Sequence, residues 1–303
     1  MPVQPFSGAA EFYETAPAKI NLALHVVGQR ADGYHLLETL VTFADTGDRL
    51  SFAADDADRF SIFGPFSAVL ATNGGLTDNL VLRARDLLRQ AVIATGQQAP
   101  AVAIHLEKNL PIASGIGGGS ADAAAALRGL LRFWRCSIPT ETLDTIALSL
   151  GADVPMCLAG MPLMARGIGE ELTLLPQLPA FAMVLANPLT GVSTPEIFRR
   201  LQTKNNPPVP KFLPQNKDDW QAFIHNLRND LEAPAISALP VIQDVSDLLK
   251  QHGATLVRMS GSGATCFGIF PSFETAQQVE ASLAAQRPDW YFKATMTKQE
   301  AQP

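Results

Sequence analysis

A glycine-rich segment is the strongest candidate for chemistry in this 303-residue chain. Glycine occupies positions 115, 117, 118 and 119, between a predicted strand and a predicted helix. Glycine allows positive φ and close approach of the backbone to an anion, and the free amides at the start of a helix point towards the same place. The segment therefore predicts a phosphate cradle.

This cradle differs from the two best-known glycine-rich phosphate sites. A Walker loop would continue with Gly-Lys-Ser or Gly-Lys-Thr, which is missing here. A Rossmann loop would need glycine or alanine at position 120, where the chain has Ser120. A flexible turn is the alternative, but the four glycines carry an entropic cost that a bound ligand would explain.

Two charged residues could act on a phosphoryl group held there. Asp153 follows a predicted helix and precedes Pro155, and Lys19 is the only charge between Glu14 and Arg30 on the first predicted strand. Taken singly, the aspartate could cap a turn and the lysine could be solvated. Together with a phosphate cradle, the carboxylate could deprotonate a hydroxyl while the ammonium neutralises charge on the transferring phosphoryl group.

A third candidate is the pair Tyr34 and His35, which follows a predicted turn at Asp32 and Gly33. An aromatic ring and an imidazole can stack on a planar base and form hydrogen bonds with it. A purely structural corner is the alternative. Taken by itself, the pair leaves both interpretations open.

Composition limits the partners and the location. The 23 basic and 29 acidic residues give a formal net charge of -6, which argues against a nucleic-acid surface. No run of about 18 apolar residues and no basic stretch followed by an apolar core is present, so we expect no membrane span and a cytoplasmic location. Cys136, Cys157 and Cys266 lack metal-ligand spacing and are expected to be reduced thiols.

The elements that must position these residues follow from hydrophobic periodicity. In the first half, strands are predicted over residues 14–28, 40–43, 50–52 and 102–106, a helix capped by Asp78 ends near Gly96, a second helix is capped by Ser120, and a third ends at Gly151. In the second half, strands are predicted over 181–186, 255–259, 265–270 and 290–294, a helix over 273–286, and a polar surface loop over 203–219. The pattern predicts an α+β fold with helices on a mostly antiparallel sheet.

Residues 111–126 resemble the phosphate-loop signature of the GHMP kinases, which phosphorylate galactose, homoserine, mevalonate and phosphomevalonate. Residues 17–21, 28–35, 117–120, 151–155 and 260–264, in this order, narrow the resemblance to the members that act on a cytidine diphosphate-linked methylerythritol. The resemblance implies ATP-dependent phosphorylation of the 2-hydroxyl of that small molecule in the non-mevalonate isoprenoid pathway. It also implies a magnesium ion that accompanies ATP, with ligands not identified.

The resemblance also implies roles for individual residues. Asp153 matches the catalytic base and Lys19 its partner. Asn21, Tyr34, His35, Thr194 and Phe198 match substrate-binding positions, with His35 and Tyr34 recognising cytosine and Phe198 closing the other face. The positions expected to bind ATP are Pro111, Ile112, Ala113, Ser114, Gly115, Ile116, Gly117, Gly118, Gly119, Ser120 and Ala121, together with Asn79 and Lys108 near the adenine.

The resemblance implies a two-domain fold. Residues 1–165 would form an ATP-binding, catalytic domain like the second domain of ribosomal protein S5, and residues 166–303 a ferredoxin-like substrate domain. We expect a monomer or a weak homodimer, and we expect the acid Asp122 to point away from ATP. Two alternatives stay open: another GHMP kinase, which would have no cytosine for His35 to bind, and a silent ligand-binding relative, which would not need both Lys19 and Asp153.

Overall fold

The computed structural model describes residues 12–68, 79–211, 214 and 216–299. It divides into two compact units. Unit 1 comprises the described parts of 1–16, 47–110 and 119–158, and unit 2 comprises those of 17–46, 111–118 and 159–303. Because the units interleave along the chain, they differ from the predicted domains 1–165 and 166–303, which a single cut would separate.

Two long strands belong to both units. Strands β1 (Phe12–Gln29) and β2 (His35–Ala54) each have one end in unit 1 and the other in unit 2. In unit 1, the last part of β2 pairs antiparallel with β4 (Val102–Glu107), and β3 (Arg59–Phe63) pairs parallel with β4. Unit 1 thus has a small mixed sheet.

The helices of unit 1 are α1 (Leu80–Ala94), α2 (Gly118–Trp134), α3 (Thr140–Leu150) and α4 (Val154–Ala159). Helix α2 is rich in alanine and packs closely on β2. A Cβ atom at Gly129 would lie 2.3 Å from the ring of Phe52, so only glycine permits this approach. The close packing fixes α2 against the sheet of unit 1.

Unit 2 contains the first part of β2, which pairs antiparallel with β5 (Leu163–Gly167), and β5 pairs antiparallel with β6 (Glu171–Leu174). A separate antiparallel sheet has the order β10 (Tyr291–Met296), β7 (Ala182–Asn187), β9 (Cys266–Phe270) and β8 (Leu256–Met259). Its helices are α5 (Thr194–Arg200), α6 (Lys217–His225), α7 (Glu232–Ala238), α8 (Val241–Gln251) and α9 (Phe273–Gln286).

Helices α8 and α9 cover the four-stranded sheet of unit 2 with apolar side chains. Ile242 and Leu249 from α8 and Leu283 from α9 are fully buried in one cluster with Val184 of β7. Burying each such side chain contributes roughly 1.5–3 kcal/mol. The predicted mostly antiparallel α+β character is confirmed.

Several predicted boundaries are wrong. The strands predicted at 40–43 and 50–52 are parts of the single strand β2. Helix α2 begins at Gly118, so Ser120 lies inside its first turn and does not cap it. Asp78 lies outside the described residues, and the cap of α1 is Asn79, whose side chain accepts a hydrogen bond from Val81 N.

The segment after Asp153 is helical. Pro155 lies in the first turn of α4, where proline is well tolerated. Part of the loop predicted over 203–219 is helical, because α6 begins at Lys217. In the described portions of the chain, no helix has the length and apolar character needed to cross a membrane.

Candidate active site

In unit 2, residues 111–117 of the predicted phosphate loop form an irregular backbone segment with an unusual conformation, and Gly118 begins α2. Gly115 and Gly117 have φ of 77° and 67°, and Ala113 has φ of 51°. The backbone N–H of Lys19 donates to the carbonyl oxygen of Ile116 over 2.9 Å, so β1 runs beside the loop. This contact places Lys19 next to the glycines.

A second glycine-containing loop, residues 260–264, supports the first one. The Ser260 hydroxyl accepts a hydrogen bond from Asn21 N and donates to the carbonyl oxygen of Gly115, both over 3.1 Å. The N–H of Thr265 donates to the carbonyl oxygen of Ser114 over 3.0 Å. A Cβ at Gly115 would lie 2.4 Å from the carbonyl oxygen of Ser260, so the two loops interlock.

Lys19 and Asn21 project from β1 beside this pair of loops and are almost fully buried, with 4% and 2% exposure. A Cβ at Gly117 would lie 3.2 Å from the Lys19 Cβ, which shows how close the lysine lies to the loop. The Asn21 amide donates to Thr39 Oγ1 over 2.8 Å. Its buried Oδ1 has no hydrogen-bond partner among the described residues and could accept one from a ligand hydroxyl.

The predicted base-binding residues only partly come together. The rings of His35 and Phe198 are stacked, with centroids 4.8 Å apart and an interplanar angle of 28°. Burial, followed by the nearby charge of Lys204, lowers the pKa of His35 and favours the neutral ring, and its Nε2 lacks a partner within the described chain. Tyr34 is 61% exposed, and its backbone N–H closes a turn by donating to Asp32 Oδ1.

Thr194 lies at the beginning of α5, the helix that also carries Phe198. Its hydroxyl is 2.7 Å from the Ser262 hydroxyl, so it contacts the supporting loop 260–264. The structure therefore gathers Lys19, Asn21, His35, Phe198 and Thr194 within unit 2. The role of Ser260 was missed by sequence reasoning, because a serine beside glycines reads as an ordinary turn.

Unit 1 contains the remaining predicted positions. Gly119, Ser120 and Ala121 form the first turn of α2, whose leading amides have no intrahelical acceptors. Asp153 is half-buried and directly precedes α4, and its carbonyl oxygen accepts from Cys157 N over 3.1 Å. Since Asp153 and Lys19 belong to different units, their predicted meeting at a phosphate stays a prediction.

Lys108, predicted near the adenine, lies in a buried ionic triad. Its ammonium donates to Asp122 Oδ2 over 2.7 Å and to Asp48, and the three residues are at most 4% exposed. Burial and then the charge of Asp48 raise the pKa of Asp122 to about 7, although Lys108 acts against this. Burial acts to lower the pKa of Lys108, but the charges of Asp122 and Asp48 raise it by a larger amount. The net shift is upward, so the ammonium stays charged.

Comparisons with known proteins show which family the chain resembles. The GHMP kinases N terminal domain matches residues 79–161, and the GHMP kinases C terminal domain matches residues 212–289. A relative from Agrobacterium fabrum is 61% identical over 98% of this chain and 100% of its own length. One from Rhizobium etli is 61% identical over 98% of both chains, and both are named 4-diphosphocytidyl-2-C-methyl-D-erythritol kinase.

Solved structures show the same fold. A crystal structure of 4-(cytidine 5'-diphospho)-2C-methyl-D-erythritol kinase has a TM-score of 0.77 and 32% identity, covering 94% of this chain and 99% of its own. Homoserine kinase from Cytophaga hutchinsonii has a TM-score of 0.67 at 17% identity, covering 98% and 97%. The second likeness concerns the fold alone.

This chain belongs to the GHMP kinase family, and it is a kinase. Within the family, the relatives that it matches from end to end are those named 4-diphosphocytidyl-2-C-methyl-D-erythritol kinase. The predicted resemblance and the predicted two-part GHMP kinase fold are thereby confirmed. ATP dependence follows from the family.

Proposed function

We propose that this chain transfers the γ-phosphoryl group of ATP to the 2-hydroxyl of 4-diphosphocytidyl-2-C-methyl-D-erythritol, in the non-mevalonate route to isoprenoid precursors. The observation that carries the proposal is the glycine loop with Lys19 beside it and the paired rings of His35 and Phe198 in the same unit. The full-length similarity to relatives of that name supports the choice of substrate.

The loop and the start of α2 would bind the phosphates of ATP. Gly115 and Gly117 have positive φ, a conformation that lets a backbone curve closely around an anion, and the first turn of α2 adds amides without internal acceptors. Residues 111–121 are the proposed cradle, and Asn79 lies at the proposed adenine side. The Lys108 ammonium is bound to two carboxylates, so we propose no direct contact between it and the base.

Lys19 and Asp153 would perform the transfer. The substrate oxygen attacks the γ-phosphorus, the bond from that phosphorus to the β,γ-bridging oxygen breaks, and ADP leaves. Asp153 takes the hydroxyl proton, while the Lys19 ammonium stabilises the negative charge on the transferring group. Asn21, with its unpartnered Oδ1, would orient the attacking hydroxyl.

His35 and Phe198 would recognise the cytosine. A neutral imidazole both donates and accepts, which suits the mixed edge of cytosine, and the burial-lowered pKa of His35 favours that form. Tyr34 would stack on the base, since its ring is largely exposed before binding. Thr194, at the beginning of α5, would contact the same substrate.

Magnesium would accompany the nucleotide and neutralise charge on its phosphates. The ion prefers oxygen ligands and retains several waters when it binds with phosphates. The Ser120 hydroxyl, half-buried in the first turn of α2, is an oxygen donor of the right kind. The carboxylates of Asp48 and Asp122 do not fit this role because Lys108 already holds them.

The runner-up is another GHMP kinase with a free sugar or amino acid as acceptor, and the His35–Phe198 pair argues against it because such acceptors have no base. A silent binding relative would need neither Lys19 nor Asp153. We also propose a cytoplasmic location, no nucleic-acid partner, and a monomer or weak homodimer.

The proposal is tested by identifying the product. The protein is incubated with ATP, magnesium and, separately, 4-diphosphocytidyl-2-C-methyl-D-erythritol, mevalonate, homoserine and galactose, and the phosphorylated products are identified by mass. We expect phosphorylation of the cytidine-linked acceptor alone, with phosphorus NMR placing the new phosphate on the 2-oxygen. Phosphorylation of only a free sugar or amino acid would transfer the assignment to the runner-up.

A further inference from the structure

The buried triad of Asp48, Lys108 and Asp122 connects the two ends of the proposed phosphate loop. Asp48 Oδ1 accepts hydrogen bonds from the backbone N–H of Asn109 over 2.6 Å and of Leu110 over 2.8 Å, the two residues that lead into Pro111. Through Lys108, the same aspartate is linked to Asp122, one turn inside α2. Residues 111–121, the proposed ATP cradle, lie between these two anchored points.

Burying these three charges together lowers the stability of the folded protein. Two carboxylates share one ammonium in a site where Asp48 is 0% and Asp122 is 4% exposed. Asp122 Oδ1 is buried without a hydrogen-bond partner in the described part of the chain. A buried charge that lacks full compensation costs stability, so the second acid needs a reason other than folding.

We propose that Asp122 is a positioning residue for ATP: through Lys108 and Asp48 it fixes the base of the phosphate loop and the first turn of α2. Fixing both ends of a loop before binding removes part of the ordering cost that a ligand otherwise has to overcome. The triad itself does not touch the nucleotide. This inference rests on the proposed function only in naming ATP as the ligand of the cradle.

The test exploits the fact that Asp122 can be removed without exposing an unpaired cation. In Asp122→Ala and Asp122→Asn, Lys108 keeps its pair with Asp48. We therefore expect an unchanged or higher melting temperature, together with a Kd for ATP raised about tenfold, a change of about 1.4 kcal/mol. The KM for the cytidine-linked acceptor should stay within about twofold.

A matched control lies further along the same helix. Glu14 accepts from Arg128 Nε of α2 over 2.7 Å, in a pair that is remote in sequence from the loop ends. Glu14→Gln removes this carboxylate and should lower the melting temperature with little effect on ATP affinity.

ATP affinity is measured by calorimetry without any acceptor, so the result does not depend on which acceptor is phosphorylated. Wild-type protein that binds ATP but fails to phosphorylate the cytidine compound would contradict the proposed function. The ATP affinities of the Asp122 variants would still test the role of the triad. Unchanged ATP affinity in both Asp122 variants would overturn the positioning role. So would a loss of affinity that merely parallels a fall in melting temperature, because that is the signature of a structural role.

Discussion

Asp153 is the single residue on which the proposed chemistry depends most. Asp153→Asn keeps the shape of the side chain but removes its basicity, so we expect turnover to fall roughly a hundredfold or more while ATP affinity is nearly unchanged. Steady-state rates and ATP titration measure the two quantities. Asp144→Asn, at an exposed position of α3, is the control and should behave like wild type. Normal turnover in Asp153→Asn would show that another group is the base.

His35 tests recognition of the base. Loss of its imidazole in His35→Ala should raise the KM for the cytidine-linked acceptor roughly tenfold or more, because buried hydrogen bonds to the base are lost, and should leave the KM for ATP within about twofold. His105 is another half-buried histidine, whose Nδ1 lies 2.6 Å from Ser61 Oγ in unit 1, and His105→Ala is the matched control. Equal changes in both constants for His35→Ala would defeat the cytosine assignment.

Residue types and spacing predicted the candidate side chains better than their contacts. Residue types linked Lys19 to the glycine loop, and the resemblance added Asn21 as a substrate-binding position; in unit 2 all three lie close together. The triad was not foreseen, since Asp48 follows Gly47 and reads as a turn residue. Its partnership with Lys108 joins positions 60 residues apart, and such a contact has no local signal.

At the level of elements, periodicity identified β1, β4 and α9 because each has an uninterrupted pattern. Strand β2 was predicted as two pieces because Gly47 and its polar neighbours resemble a turn. Tertiary contacts override that tendency: Ala44 forms a bridge with Thr297, and Thr46 N donates to Thr295 Oγ1. Helix α2 begins earlier than predicted because the loop glycines themselves enter the helix.

The interlocking loops 111–118 and 260–264 give a prediction at this scale. Gly115→Ala combines positive φ with a Cβ placed 2.4 Å from a backbone oxygen, so it should destabilise the protein and weaken ATP binding. Gly253→Ala is the control, because Gly253 has φ of 84° but open space around the missing Cβ. It should cost about 1–2 kcal/mol from φ alone.

Denaturant unfolding and ATP titration distinguish the two glycine variants. Gly115→Ala should lose more stability than Gly253→Ala, and only Gly115→Ala should lose ATP affinity. If the two variants were equally destabilised and both bound ATP normally, the interlock of the two loops would have no role in shaping the cradle.

For the whole molecule, the division into units shows what a linear reading cannot supply. The sequence predicts continuous domains that meet at residue 165, and this boundary stays a prediction; the compact units of the structure are discontinuous, since β1 and β2 each contribute to both. The fold family was predictable because several motifs occur in a fixed order along the chain. The interleaving was not, because a strand that leaves one unit and enters another has the same periodicity throughout.

His25 makes the stability of the protein depend on pH. Its Nδ1 lies 3.1 Å from the carbonyl oxygen of Pro207, and its Nε2 accepts from Arg228 N, an acceptor role that only the neutral ring can fill. Burial first, and then the charge of Arg228, lower the pKa of His25 below 6.5, although the Pro207 hydrogen bond and the charges of Asp230 and Glu38 act in the opposite direction. The folded state therefore favours the neutral ring more than the unfolded state does.

The sign of the pH effect follows from this difference. Above pH 6.5, His25 is neutral in the folded and in the unfolded state, and its contribution to the free energy of unfolding is fully present. As the pH falls from 6.5 through the lowered pKa of the folded state, the unfolded state binds the proton first, so stability is lost. Thermal denaturation of wild type and His25→Gln across this range measures the effect. The variant should show a smaller fall in melting temperature than wild type or the exposed-site control His225→Gln, and equal falls would contradict the assignment.

The central claim is that Lys19 and Asp153 act together on a phosphoryl group held by the glycine loop. A crystal structure with a non-hydrolysable ATP analogue and 4-diphosphocytidyl-2-C-methyl-D-erythritol measures this most directly. We predict that the phosphates contact the amides of residues 115–120 and that the 2-oxygen of the acceptor lies within about 3.2 Å of the Asp153 carboxylate, with the Lys19 ammonium beside the γ-phosphate. An acceptor oxygen remote from both side chains, or phosphates bound away from the loop, would contradict the account.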